Sequence, residues 1–114
     1  MIRPEPLHNM INKTEFVPQA VIAETVYELA KRFGSEVEEG EDDFDKYEGA
    51  AAWLDGFAFA VMHYRGHPKN TSTIYLPFEI HDVEKITLII SRIILELKVS
   101  PDLITWQRKD GPDL

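Results

Sequence analysis

There is no cysteine anywhere in the 114 residues, which excludes disulfides, a thiol nucleophile and thiolate metal sites. Long apolar runs are missing too: nothing approaches the roughly 20 residues that a membrane helix needs. The first 13 residues carry Pro4, Pro6, Asn9 and Asn12 and lack the apolar block of a secretory signal. Together these absences lead to the expectation of a cytoplasmic protein with no membrane contact. Positive charge is scarce, with 12 Lys and Arg against 20 Asp and Glu for a net charge of −8. A nucleic-acid binder needs a basic face for the phosphates, so that class is set aside. Catalytic signatures are lacking: there is no G-x-S-x-G turn, H-E-x-x-H, P-loop or dinucleotide fingerprint. No cofactor is expected, and the chain reads more as a non-enzymatic domain than as an enzyme.

What is present starts with residues 82–99, an amphipathic helix around which the rest is arranged. Asp82 is its N-cap, and Val83, Ile86, Ile90, Ile93, Ile94 and Leu97 form its core stripe until Ser100-Pro101 stops it. Leu88, Leu95 and Val99 repeat the helical spacing on the far side. A helix apolar on two faces needs two partners, either this chain's own N-terminal part or a second copy, and these three residues are the candidate homodimer contact.

Residues 1–17 read as an N-terminal tail and 109–114 as a C-terminal one, leaving one domain over 18–108. Pro18 suits the first turn of a helix over residues 18–33, with Val21, Ile22, Thr25, Val26, Leu29 and Phe33 on its buried face and Gly34 as its stop. Residues 35–49 are mostly loop, with a short strand around Val37. Asp55-Gly56 favours a two-residue hairpin turn, which sets Leu54 opposite Phe57, Ala52 opposite Phe59, Ala50 opposite Val61 and Trp53 opposite Ala58. A helix over residues 45–63 has similar spacing in its favour, but Gly49 and Gly56 would each cost about 1 kcal/mol inside it. Strands over 72–76 and 103–108 complete the order α-β-β-β-α-β. The expected fold is an α+β two-layer sandwich, a mainly antiparallel sheet of about four strands with two helices on one face.

Charge is uneven along the chain. Residues 34–49 hold eight of the acids and a single base, Lys46, so nearly all the net charge sits there. Within that segment Glu38, Glu39, Glu41, Asp42, Asp43 and Asp45 are the candidate partner-binding acids, and Phe44 and Tyr47 the aromatic anchors that convert attraction into affinity. Read this way, residues 36–48 engage a basic protein partner, as an acidic inhibitor, immunity protein or adaptor does. The bland alternative is a solvated loop that carries charge for solubility. An EF-hand does not fit, because counting from Asp43 puts Glu48 where glycine is required and Leu54 where a bidentate Glu is required.

A second class is a small ligand-binding domain or enzyme with a pocket near Tyr64, Arg65, His67 and Lys69, or at His81. Strand spacing puts His63 and His81 on the order of 20 Å apart, so the histidines do not converge on one ion and no metal site is expected.

Overall fold

Seven strands and three helices make up residues 2 to 108, the part of the chain that the computed structural model describes. In chain order they are β1 (Ile2–Glu5), α1 (Leu7–Ile11), β2 (Phe16–Ile22), α2 (Val26–Arg32), β3 (Glu38–Glu41), β4 (Lys46–Leu54), β5 (Phe57–Tyr64), β6 (Ser72–Pro77), α3 (Val83–Glu96), a 3-10 turn (Pro101–Leu103) and β7 (Ile104–Gln107). The fold is α+β with an antiparallel sheet, larger by three strands and one helix than the sequence suggests. The proposed tail over 109–114 lies outside the described residues.

Asp55 and Gly56 both take positive φ, 49° and 87°, the type I′ geometry whose twist matches the strands it joins. The register that follows pairs Leu54 with Phe57, Ala52 with Phe59, Ala50 with Val61 and Trp53 with Ala58, as the alternation of large and small residues requires. This hairpin supplies the second and third strands of a sheet ordered β1-β4-β5-β6-β2-β7, with β3 also on β4. β1 lies along the second half of β4 and β3 along the first, so two short strands share one edge.

The sheet has two differently furnished faces. On one, Ala20, Ile22, Ala50, Ala52, Leu54, Phe59, Val61, Ile74 and Leu76 join Val26 and Leu29 of α2 and Ile86, Ile90 and Ile93 of α3 in the larger core. The alternate residues Ala51, Ala58, Ala60 and Met62 form the other, where Leu7 and Met10 of α1 cover them. Beyond α1 that second face is aromatic, with Phe16, Tyr47, Tyr64 and Tyr75 half-buried.

Three expectations need correction. Residues 2–17 are not a tail but supply β1, α1 and the start of β2. The helix expected over 18–33 begins only at Val26, where the Thr25 hydroxyl accepts the Glu28 amide at 3.1 Å; the residues before it form β2. Pro18 stands in that strand at a bulge and beyond the reach of β7, which pairs only with Ala20 to Ile22, so its missing amide breaks no ladder there. Third, α3 ends at Glu96 and Val99 is buried, so it belongs to the core and not to a dimer contact. Lys98 takes a left-handed φ of 56°, its amide donating to Leu95 O at 3.1 Å and that of Val99 to Ile94 O at 3.0 Å. That Schellman closure turns Val99 back under the helix.

Candidate functional site

The acidic segment is a hairpin, not a loose loop. Glu41 pairs with Lys46, and between them Asp42 organises the turn. Its Oδ1 accepts the amides of Phe44 at 2.9 Å and Asp45 at 3.2 Å, while its own amide donates to Asp45 O at 3.1 Å. Asp and Asn favour such turns because the short carboxylate or amide reaches the backbone two residues on. Phe44, projecting from this turn, is 89% exposed.

The turn is fastened to the β5–β6 connection. The Tyr64 hydroxyl donates to Asp42 Oδ2 at 2.6 Å, and the Gly66 amide to Asp45 Oδ2 at 2.9 Å. The two stretches that the sequence nominates for different functions, the acids and the Tyr64–Arg65–His67 loop, therefore adjoin. Burial first, and then the bond to Asp42, push the Tyr64 hydroxyl well above the usual tyrosine range. For Asp42, burial works upward, but the donors Tyr64, Phe44 and Asp45 outweigh it and hold the carboxyl below its ordinary value. Asp42 is thus an anion at neutral pH and Tyr64 a donor, so the tie is charge-assisted.

Two grooves flank this junction. One, of about 590 Å³, is walled by Phe16, Pro18, Tyr64 and Tyr75, with Phe44, Asp45, Gly66 and His67 at its rim. The His67 ring leans on Tyr64 with centroids 5.7 Å apart. The other, of about 470 Å³, is lined by the charged residues Arg65, Lys69, Lys46, Glu39 and Glu48 together with His63. Tyr47 stands between them, edge-on to Tyr64 at 5.7 Å and lying over Gly40. A Cβ on Gly40 would come within 2.5 Å of Tyr47 Cζ, so any larger residue there would push the ring off the strand.

Not every nominated residue belongs here. Glu38 is turned inward: its carboxylate accepts the amides of Leu7 and His8 (the latter at 3.2 Å) and meets His8 Nδ1, so it caps α1 across the sheet edge. Pro6, at the N-cap position, contributes no side-chain bond, and Glu38 fills that role. Burial alone would raise its pKa, but these bonds more than offset it and leave it lowered. Glu38→Ala is expected to cost about 1–2 kcal/mol at neutral pH. A lowered carboxyl stabilises above its unfolded pKa and stops doing so as pH falls through the folded one; urea unfolding should show the gap between the chains closing in acid. A gap unchanged by acid would mean that the Glu38 charge is not what α1 leans on.

His81 lines neither groove and sits against Phe78, ring centroids 6.4 Å apart. Sequence reasoning did not find Tyr27, Glu48 and His63 together, nor Phe16, Pro18 and Tyr75 in the aromatic groove. The Tyr27 hydroxyl donates to Glu48 Oε2 at 2.7 Å, and His63 Nδ1 lies 3.7 Å from Glu48 Oε1. A carboxylate beside an imidazole suggests acid-base chemistry, yet His63 Nε2 is engaged by Pro68 O at 3.1 Å. The Pro68 carbonyl holds the ring in place and the Tyr27 hydroxyl ties α2 to Glu48, so the cluster reads as a brace between α2, β4 and β5. No group of three or more metal-ligating side chains is assembled among the described residues.

Comparison of the chain with protein-family models, curated proteins and solved structures returned no match.

Proposed function

We propose that this chain is a protein-interaction domain that presents its acidic hairpin, and the aromatic groove beside it, to a basic segment of another protein. The observation that carries this reading is Phe44, a fully projecting aromatic ring on a turn tied down by Asp42, Asp45 and the Tyr64 hydroxyl. A loop kept only for solubility has no use for an exposed phenylalanine, whereas a binding hairpin needs a rigid apolar anchor among its charges. Glu39, Glu41 and Asp43 supply long-range attraction, and the groove walls of Phe16, Tyr64 and Tyr75 suit the apolar stems and cationic heads of Lys or Arg. The rival reading, a small-molecule site near Tyr64, Arg65, His67 or His81, has less behind it. Arg65 and Lys69 share their groove with Glu39 and Glu48, which offset the positive charge an anion would need, and His81 stands apart.

The test is affinity capture from a lysate of the native host at low and moderate salt with wild type, Phe44→Ala and Asp43→Asn as baits. A basic protein retained by wild type and lost with salt is expected, its affinity falling about 30-fold or more for Phe44→Ala, as for a hot-spot aromatic. Asp43→Asn should reduce mainly the rate of association and its salt dependence. Equal recovery by wild type and Phe44→Ala, or recovery of nothing, sinks the proposal.

A further inference from the structure

Three strands and a turn meet at the aromatic groove. β2 brings Phe16 and Pro18, β6 brings Tyr75 opposite Pro18, β5 brings Tyr64, and the turn between β3 and β4 brings Asp45. The Tyr64 ring is held from several sides, with the Tyr47 and His67 rings each 5.7 Å away and Asp42 bonded to its hydroxyl. The walls are thus set before anything enters, which removes part of the cost of binding.

The groove is anionic without offering a free carboxylate. Asp42 accepts the amides of Phe44 and Asp45 on Oδ1 and the Tyr64 hydroxyl on Oδ2. Asp45 accepts the Lys46 amide on Oδ1 at 2.7 Å and the Gly66 amide on Oδ2. Each of the four oxygens already has a donor from this chain, and every one of those donors is neutral, so both negative charges persist as a field. Burial first, and then the charge of Asp42, raise the Tyr47 and Tyr75 hydroxyls above the usual tyrosine range, so that field reaches the ring walls. Among the described residues that line the groove there is no Lys or Arg. Arg65 and Lys69 line the other groove, and Arg108, whose Nε donates to Pro18 O at 3.3 Å, lies over Trp106.

That combination selects among cations. An ammonium or guanidinium brings N–H groups that need acceptors once water is stripped away, and the carboxylates that would take them are already engaged. A trimethylammonium group has no N–H, spreads its charge over its methyl groups and is held by aromatic faces and by a field instead of by hydrogen bonds.

Building on the protein-binding role proposed above, we propose that the groove receives the side chain of a trimethylated lysine carried by the basic segment. Phe16, Tyr64 and Tyr75 face the methyl groups, Asp42 and Asp45 supply the charge, and the exposed Glu39, Glu41 and Asp43 draw the flanking basic residues.

Isothermal titration calorimetry at low salt tests this with a short Lys- and Arg-rich peptide whose central lysine is unmodified, trimethylated or replaced by its neutral isostere, tert-butyl in place of trimethylammonium. The trimethylated peptide is expected to bind about 10-fold more tightly than either of the others, the scale of a desolvated cation on aromatic faces. Tyr75→Leu, which keeps apolar bulk but removes the ring, should abolish the preference and Tyr75→Phe should keep it, both with unaltered circular dichroism. Free choline, which carries the same group without a peptide, should bind more weakly than the trimethylated peptide. Equal binding of trimethylated and unmodified peptides, an isostere held as tightly as the cation, a preference that survives Tyr75→Leu, or choline held as tightly as the peptide would each overturn the proposal. The protein-binding role stands or falls separately, on the Phe44→Ala capture.

Discussion

Replacing Arg32 with alanine is expected to lower stability by about 3 kcal/mol at neutral pH, and by much less in acid. Glu24, between β2 and α2, is only 8% exposed. Arg32 meets it with both terminal nitrogens, Nη1 donating to Oε1 at 2.9 Å and Nη2 to Oε2, while Nη1 also donates to Leu97 O at 3.2 Å. One guanidinium thus neutralises a buried carboxylate and satisfies a carbonyl at the end of α3, joining two helices that the sequence separates by fifty residues. Alanine would leave the charge without a counter-ion. Because a third of the Arg32 side chain meets solvent, water repays part of the loss and the cost stays at the lower end of the range for buried pairs.

The pH dependence follows from the same contact. The hydrogen bonds from Arg32, outweighing burial, hold the Glu24 carboxyl below its ordinary value. The stabilisation is therefore complete above the unfolded carboxylate range and lost as pH falls through the lowered folded value. In the variant the Arg32 bonds are gone and burial is opposed only by the hydrogen bond with Glu28, so Glu24 protonates more readily and acid relieves the strain of a charge without its counter-ion. Urea unfolding at neutral pH and near the ordinary Glu pKa should show the difference between the two proteins shrinking. A difference of equal size at both would mean that Arg32 acts through packing of its stem rather than through charge.

The second large effect is Phe59→Ala, expected to cost about 4 kcal/mol. Phe59 is fully buried, opposite Ala52, and packs edge-to-face on Phe33 with centroids 5.8 Å apart. What raises the cost is the company: Ala20, Ala50 and Ala52 on the same face have no side chain with which to close the space. The cavity therefore persists, which is the costly limit for such truncations. Phe57, on the same face but half-buried at the turn, is the control and should lose about 1 kcal/mol. If Phe59→Ala costs no more than Phe57→Ala, the sheet and helices close over the void and the face is softer than its packing indicates.

The hairpin and α3 were legible because their causes are local. Asp55-Gly56 dictates a turn, the turn dictates register, and Asp82 caps the helix through Glu84 N at 3.0 Å. The N-terminal third was not, because its elements are short and owe their form to the sheet. β1 holds Pro4 and is a strand only through pairing with β4. Val21 and Ile22 at the end of β2 happen to fall in helical phase with Val26 and Leu29, which made one helix of a strand and a helix. A sharper signal lay in Thr25 and Glu28, the spacing of a capping box, which marks where the helix starts. Much the same holds at the site. The hairpin register already sets Tyr47 opposite Tyr64, but the ties from Asp42 and Asp45 to the next loop depend on how two turns meet in space. The inward turn of Glu38 was unreadable while α1 itself went unread.

The edge that β3 shares with β1 has a further consequence. An uncovered strand offers a row of amides and carbonyls to any strand that comes near, and chains that meet edge to edge aggregate. β3 answers with the exposed Glu39 and Glu41, and β1 with Pro4, so two copies approaching along this side stack like charges or meet a missing amide. The acids guard the sheet whether or not a partner is bound.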